Sequence, residues 1–125
     1  MIAQPDEFAQ YCCELLYAAG PCTARRMFGG YGISTDGLTL ALVADLGQGE
    51  TLWLKAGPDT RALFEAAGCE RFTYQAKGKE RHLGFYSAPG EAMESAREMA
   101  PWAHLALQAA IAARQPKKAR SRKKK

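Results

Sequence analysis

The sequence has few of the residues that build metal centres. Its 125 residues include four cysteines and two histidines, and no Cys-x-x-Cys pair occurs among them. Structural zinc sites take four such ligands, usually as closely spaced pairs, so we expect no metal and no cofactor. We instead expect free, largely buried thiols in a reducing compartment, at Cys12, Cys13, Cys22 and Cys69.

Long apolar runs are also missing. No stretch approaches the roughly 20 apolar residues of a membrane-spanning helix, and the N-terminus has no basic segment followed by an apolar one. The hydrophobic share of 47% and the charged share of 24% are those of an ordinary globular chain. The sequence therefore predicts one domain in the cytoplasm, without membrane contact.

Recognised nucleotide-binding and catalytic motifs are absent as well. Gly29, Gly30 and Gly32 belong to no Gly-x-x-x-x-Gly-Lys-Ser/Thr pattern, and a bent strand accounts for them better than a phosphate loop. A catalytic Cys and His that meet only in space stay an alternative, which Cys69→Ser or His82→Ala would test. Because no chemical motif stands in its expected context, we predict that the protein is not an enzyme.

What the sequence does have is positive charge at one end. The net charge is +4, yet residues 1–113 carry nine Lys and Arg against thirteen Asp and Glu. We predict a domain over 1–113 and a disordered basic tail over 114–125. The tail is either a solubilising extension or an electrostatic arm for non-specific contact with DNA or RNA. Its eight cations are Arg114, Lys117, Lys118, Arg120, Arg122, Lys123, Lys124 and Lys125.

Periodicity in the first half predicts a helix followed by a three-stranded meander. Apolar residues recur at helical spacing over 5–19. Strands are expected at 25–34, 38–44 and 51–56, and the first strand is bent at its glycines. Asp36-Gly37 forms the first hairpin turn, because this dipeptide tolerates positive φ angles.

The second half predicts a short helix, a second hairpin and a helical end. The short helix covers 58–68, with Leu63, Phe64 and Ala67 facing inward, and the strands cover 71–75 and 81–87 with one face buried. Pro101 cannot donate the hydrogen bond of a helix interior, so we expect it to separate a helix near 91–99 from a last helix over 101–113. The fold class is α+β, in the order α-β(3)-α-β(2)-α.

Two adjacent arginines are the main candidate site residues of the predicted domain. Arg25 and Arg26 must point to opposite faces of a strand, so at most one can join a buried network with a carboxylate. Alternatively, Arg25 or Arg26 forms a phosphate-binding patch with Lys77, Lys79 and Arg81 of the second hairpin.

Several strings together resemble a known family, the N-terminal domain of the TfoX/Sxy competence regulators. They are RRMFGGYGI at 25–33, DG at 36–37, LWLK at 52–55, FEAAGCERFTY at 64–74, KGK at 77–79 and FY at 85–86. They occur in the family order and span about residues 10 to 112.

The resemblance implies a domain similar to secretion-chaperone-like folds, with the same α-β(3)-α-β(2)-α order. It also implies a non-enzymatic role in switching on DNA-uptake genes, with the cyclic-AMP receptor protein as partner. Full-length members carry a helical C-terminal domain, whereas this chain has the basic tail in that position. We therefore expect a transcription-associated adaptor. The alternative is a protein-binding module, or a homodimer formed through a sheet face or edge, without any role in nucleic-acid binding.

Overall fold

A computed structural model describes residues 7–27, 30–47 and 49–114. The helices are α1 (Glu7–Leu15), α2 (Arg61–Ala66) and α3 (Ala96–Arg114), with short 3₁₀ helices at Leu16–Ala19 and Gly90–Glu94. The strands are β1 (Thr23–Met27), β2 (Gly30–Thr35), β3 (Leu38–Asp45), β4 (Glu50–Lys55), β5 (Arg71–Ala76) and β6 (Lys79–Ser87). The predicted disordered tail lies outside the described residues, apart from Arg114 at the end of α3.

All six strands form one sheet in the order β1-β2-β3-β4-β6-β5. Every neighbouring pair is antiparallel. The second hairpin joins the meander through β6, which pairs with β4 and leaves β5 at the far edge. The predicted α+β class with an antiparallel sheet is therefore confirmed.

The arginine- and glycine-rich stretch forms two strands, so the prediction of one bent strand over 25–34 is wrong. β1 and β2 pair with each other, and Arg25 lies opposite Gly32. A Cβ on Gly32 would lie 2.7 Å from Sδ of Met27, and one on Gly30 would collide with the carbonyl oxygen of Val43. Because Gly30 and Gly32 have no Cβ, β2 can pair closely with β1 on one side and β3 on the other. The number of strands is therefore six rather than five.

Both predicted hairpins close through two-residue turns with positive φ angles. Asp36 and Gly37 have φ values of 52° and 78°, and Lys77 and Gly78 have values of 52° and 75°. These angles match the turn type whose twist suits antiparallel strands. The Asp36-Gly37 turn is confirmed, and the second connection is tighter than the polar segment 76–80 suggests.

Pro101 lies inside α3, so the predicted break at this residue is wrong. The helix begins after Ser95, whose Oγ accepts a hydrogen bond from the Glu98 N–H at 3.2 Å, as helix-capping serines do. Fully buried residues lie on both sides of the proline, at Met99, Ala103 and Ala106. Pro101 is exposed, so its ring does not interrupt this buried stripe. The free energy gained by burying the stripe outweighs the hydrogen bond that proline removes.

The core lies between one face of the sheet and the helices. Phe64 of α2 is fully buried, where its ring stacks on Tyr86 at a centroid distance of 5.5 Å and contacts Trp102 of α3 at 5.1 Å. The Tyr86 hydroxyl donates to the Glu65 carboxylate at 2.6 Å. Leu63 is 50% exposed and Ala67 is exposed as well, so the prediction that both face inward beside Phe64 is wrong.

Replacing Pro101 by alanine tests this account of α3. Pro101→Ala restores a backbone donor at an exposed helix position, so we expect the free energy of unfolding to rise by about 1–3 kcal/mol. Urea denaturation measures the change, and His104→Ala, at an exposed position of the same helix, should change stability by less than about 0.5 kcal/mol. A loss of stability in Pro101→Ala would contradict the account.

Candidate functional site

The two faces of the sheet have different surroundings. Side chains such as Ile33, Leu52 and Leu54 point toward the helices and belong to the buried core. Their neighbours in the strands point the other way, because side chains alternate along a strand. We call this second surface the open face and define it by the outward positions of the strands, which include Met27, Leu42, Trp53, Lys55, Phe72, Tyr74, Arg81, Leu83 and Phe85.

A groove with a volume of about 690 Å³ crosses the open face. Its lining comes from β1, β2, β3, β5, β6 and the loop after β3, and it therefore reaches both edge strands of the sheet. Most of the side chains that line it are apolar, including Met27, Leu42, Leu46, Tyr74, Leu83 and Phe85. This volume lies within the range of ligand-binding clefts.

Aromatic rings make the centre of the open face rigid. Trp53 is 5% exposed, and its ring meets Phe72 edge-on at a centroid distance of 5.0 Å. Its indole Nε1 donates to the carbonyl oxygen of Ala44 at 3.3 Å. Phe72 in turn contacts Tyr74 at 6.3 Å. Interlocked rings keep their positions, so the groove is preformed.

Several large apolar side chains of the groove remain in contact with water. Met27 is 38% exposed, Leu46 is 43% exposed and Tyr74 is 37% exposed. Contiguous exposed apolar surface on a globular domain is typical of a binding site. The open face is therefore the strongest candidate for a functional surface in the described part of the chain.

Positive side chains lie around the apolar groove. The Lys55 Nζ atom lies 5.0 Å from the centroid of the Phe85 ring, a distance that permits a cation–π interaction. Arg81 pairs with Tyr74 across β5 and β6, and paired residues share a face of the sheet. Arg25 shares its face with Met27, two residues further along β1.

Asp45 is a carboxylate at one end of the groove. Its Oδ1 atom accepts hydrogen bonds from the backbone N–H groups of Gly47 and Gly49, at 2.8 and 3.0 Å. These bonds tie the carboxylate to the loop after β3.

The adjacent arginines lie on opposite faces, as expected for a strand, but neither is buried. Arg26 lies over the ring of Tyr31, with 5.9 Å between its Cζ atom and the ring centroid, while Arg25 lies on the open face. The expectation that one of them joins a buried network is therefore wrong. Both side chains remain accessible to a partner.

The predicted phosphate patch falls into two separate parts. Lys77, Lys79 and Arg81 lie together on the second hairpin, whereas Arg25 lies on β1 at the opposite edge. β1 and β6 are four strand spacings apart, which is about 19 Å along the sheet. The structure therefore does not bring the arginines and the hairpin cations together at one phosphate. The predicted contacts at Lys117, Lys118, Arg120, Arg122, Lys123, Lys124 and Lys125 lie outside the described residues.

Three of the four cysteine thiols, those of Cys13, Cys22 and Cys69, are poorly suited to nucleophilic chemistry. Burial, with a smaller contribution from Cys13, raises the pKa of Cys22 from 9.0 to about 11, and the Cys22 Sγ–H donates to the Gly20 carbonyl oxygen at 3.2 Å. Burial also raises the pKa of Cys13 and Cys69. A thiolate is the reactive form of cysteine, so these shifts lower reactivity.

The histidines and carboxylates of the described residues form no metal centre. The Nδ1 atom of His82 lies 3.0 Å from the Thr73 hydroxyl, with which it shares a hydrogen bond. No group of three or more His, Cys, Asp or Glu side chains among the described residues could hold a metal ion. No helix in the described ranges is both long and apolar enough to cross a membrane.

The six-stranded antiparallel sheet and the helices on one side of it define an α+β domain. Residues 14–110 match the family model of the TfoX N-terminal domain, so the chain belongs to that family. No curated protein matches the chain. The family is one of regulatory or adaptor domains, in agreement with the resemblance seen in the sequence.

Sequence reasoning considered a sheet face only as a possible dimer surface and named none of the apolar residues that line the groove as site residues. The alternation of Phe72 and Tyr74, and of Leu83 and Phe85, predicts a buried face for the second hairpin, yet these residues line the groove. The available signal was Trp53, which points away from the core residues Leu52 and Leu54. A second apolar face on a central strand indicates either another layer or a binding surface.

The reactivity of Cys22 provides a test of the thiol environment. With a pKa of about 11 rather than 9.0, its thiolate fraction at pH 8 is about 100-fold lower than that of an ordinary thiol. A thiolate of higher pKa is also more nucleophilic, so we expect iodoacetamide to modify Cys22 in the native protein at least about tenfold more slowly than after denaturation, and the rate should rise about tenfold per pH unit below about pH 11. Mass spectrometry of the modified peptide measures both. Equal rates in the native and denatured protein would contradict the shift.

Proposed function

We propose that the protein is a non-enzymatic regulatory adaptor whose open face binds a partner protein. In this proposal the basic segment 114–125 adds non-specific contact with nucleic acid, and the complex assists activation of DNA-uptake-type genes in the cytoplasm. The cyclic-AMP receptor protein is the partner suggested by the family. The observation that carries the proposal is the preformed apolar groove across the open face.

The core supports this assignment because it is complete without the open face. Ile33, Leu40, Leu54 and Met99 are fully buried between the sheet and the helices, so folding does not require anything to cover the groove. Apolar surface that stays exposed after folding is free to stabilise a complex instead. Each 100 Å² of apolar area buried against a partner is worth about 2.5 kcal/mol before the costs of association.

The basic segment supports the second part of the proposal. Its eight cations can meet several phosphates and release their counterions, with a slope of about −0.9 in log affinity against log salt for each phosphate. Phosphate contacts carry no base information, so this binding is independent of sequence. The partner bound at the open face then provides the specificity for a promoter.

A variant of the open face tests the protein-binding role. Met27→Asp puts a charge on an exposed groove residue of an edge strand, so we expect partner capture to fall at least about tenfold. Capture from host extract with mass-spectrometric identification compares it with Leu63→Asp, which changes an exposed leucine of α2 and should leave capture unchanged. Equal capture by Met27→Asp and the parent protein would contradict the role. Loss of a dimer in Met27→Asp, seen by light scattering, would favour self-association.

A truncation tests the nucleic-acid role. Removal of residues 115–125 deletes seven of the eight cations, so we expect the affinity for duplex DNA to fall and the salt slope to become shallower by several units. Fluorescence anisotropy between about 50 and 200 mM salt measures both quantities. A second variant replaces Lys117 and Lys118 by glutamine, which removes two positive charges at constant chain length, and its salt slope should lie between those of the parent and the truncated protein. An unchanged slope after truncation would contradict this role.

A further inference from the structure

We propose that the groove binds an amphipathic α-helix of the partner protein, with acidic residues on both sides of its apolar stripe. This inference rests on the proposed protein-binding role of the open face and names the chemistry of the segment that occupies it. The reasons are the hydrogen bonding of the sheet, the shape and composition of the groove, and the charges around it.

Hydrogen bonding favours a helix over an extended segment. The strands that floor the groove exchange their backbone hydrogen bonds with neighbouring strands, so a face of the sheet offers few backbone partners to a ligand. An extended segment lying across it would bury its own N–H and C=O groups without partners. A helix satisfies these groups internally and presents only side chains.

The architecture leaves a place for one more layer. α1 and α3 pack on the same side of the sheet, and sheets that are apolar on both faces are stabilised by helices on both. A helix is about 10 Å wide, about two strand spacings, and the groove is several strands wide. A helix that runs across the strands, about 27 Å long at 18 residues, reaches from Met27 on β1 past Leu42 to Leu83 and Phe85 on β6.

The charges around the groove select acidic flanks. Arg25, Lys55 and Arg81 lie on the open face around the apolar floor, and the carboxylate of Asp45 is already held by the loop amides. Glutamate or aspartate beside the apolar stripe would pair with these cations. A second copy would bring the same cations against each other, and this repulsion disfavours stacking of two open faces.

The composition of the groove favours a helix over a nucleic acid. Single-stranded nucleic acids need exposed ring faces on which successive bases stack. Tyr74 has a partly exposed ring, but Phe72 is 8% exposed and meets Trp53 edge-on, and the lining also contains aliphatic side chains at Met27, Leu42 and Leu46. Side chains of this kind complement leucine and phenylalanine better than they complement bases.

Two helical peptides that differ only in flanking charge test the proposal. Each has about 18 residues, or about five turns, with leucine and phenylalanine at positions i, i+3, i+4 and i+7. One carries glutamate beside the stripe and the other carries lysine. A scrambled form of the glutamate peptide and a single-stranded oligothymidine complete the set, and fluorescence anisotropy of labelled probes with the full chain measures binding.

We expect the glutamate peptide to bind at least about tenfold more tightly than the lysine peptide, and the scrambled peptide not to bind. Met27→Asp should lower the affinity for the glutamate peptide about tenfold, whereas Leu63→Asp should leave this affinity unchanged. The double variant Lys55→Glu/Arg81→Glu should bind the lysine peptide more tightly than the glutamate peptide, which reverses the order of the two affinities. Arg97→Glu, at an exposed position of α3, is the charge control and should preserve the order.

Three results would overturn the proposal. The first is equal affinity for the glutamate and scrambled peptides. The second is an unchanged order of peptide affinities in Lys55→Glu/Arg81→Glu. The third is oligothymidine that binds more tightly than the glutamate peptide and no longer binds to Met27→Asp. Circular dichroism and thermal unfolding confirm that each variant is folded, and Tyr74→Asp replaces Met27→Asp should the latter unfold. If no peptide binds while Met27→Asp still abolishes capture of the identified partner, the helix proposal fails and the protein-binding role stands.

Discussion

The packing of α3 against the sheet is the contact on which the rest of the structure depends. Its buried stripe, Met99, Ala103, Ala106 and Ala110, joins the core formed by β3 and β4, and Trp102 extends that core to Phe64 of α2. Small alanine side chains allow the helix backbone to approach the sheet closely, so α3 packs against both β3 and β4. This packing also keeps α3 continuous through Pro101, because breaking the helix there would expose buried surface on both sides.

Coverage of one face leaves the other face with its own apolar groups. Trp53 and Phe72 of this face pack edge-on against each other. This contact buries both rings without a further layer of secondary structure. Met27, Leu46 and Tyr74 stay partly in water around them. The open face is thus stable enough to fold alone and apolar enough to bind, and the cations beside it restrict which partner can approach.

Local patterns predicted much of the fold and little of the site. Alternation located the strands of the second hairpin, and Asp36-Gly37 located a turn whose φ angles the structure confirms. The sequence pattern did not predict that the chain reverses between β1 and β2, because the close approach of Met27 to Gly32 exists only once the two strands pair. The continuity of α3 escaped it for a similar reason, since burial on both sides of a proline is a tertiary property.

The family, the α+β class, the separation of charge between 1–113 and 114–125 and the placement of Arg25 and Arg26 on opposite faces of a strand could all be read from the residues alone. These features follow from residue identity and from spacing along the chain. Three features depend on how distant elements pack: which apolar face the helices cover, the exposure of both arginines, and the groove lined by residues from β1 to β6. Alternation assigns each side chain to a face of its strand, whereas coverage of that face depends on which elements from elsewhere in the chain pack against it.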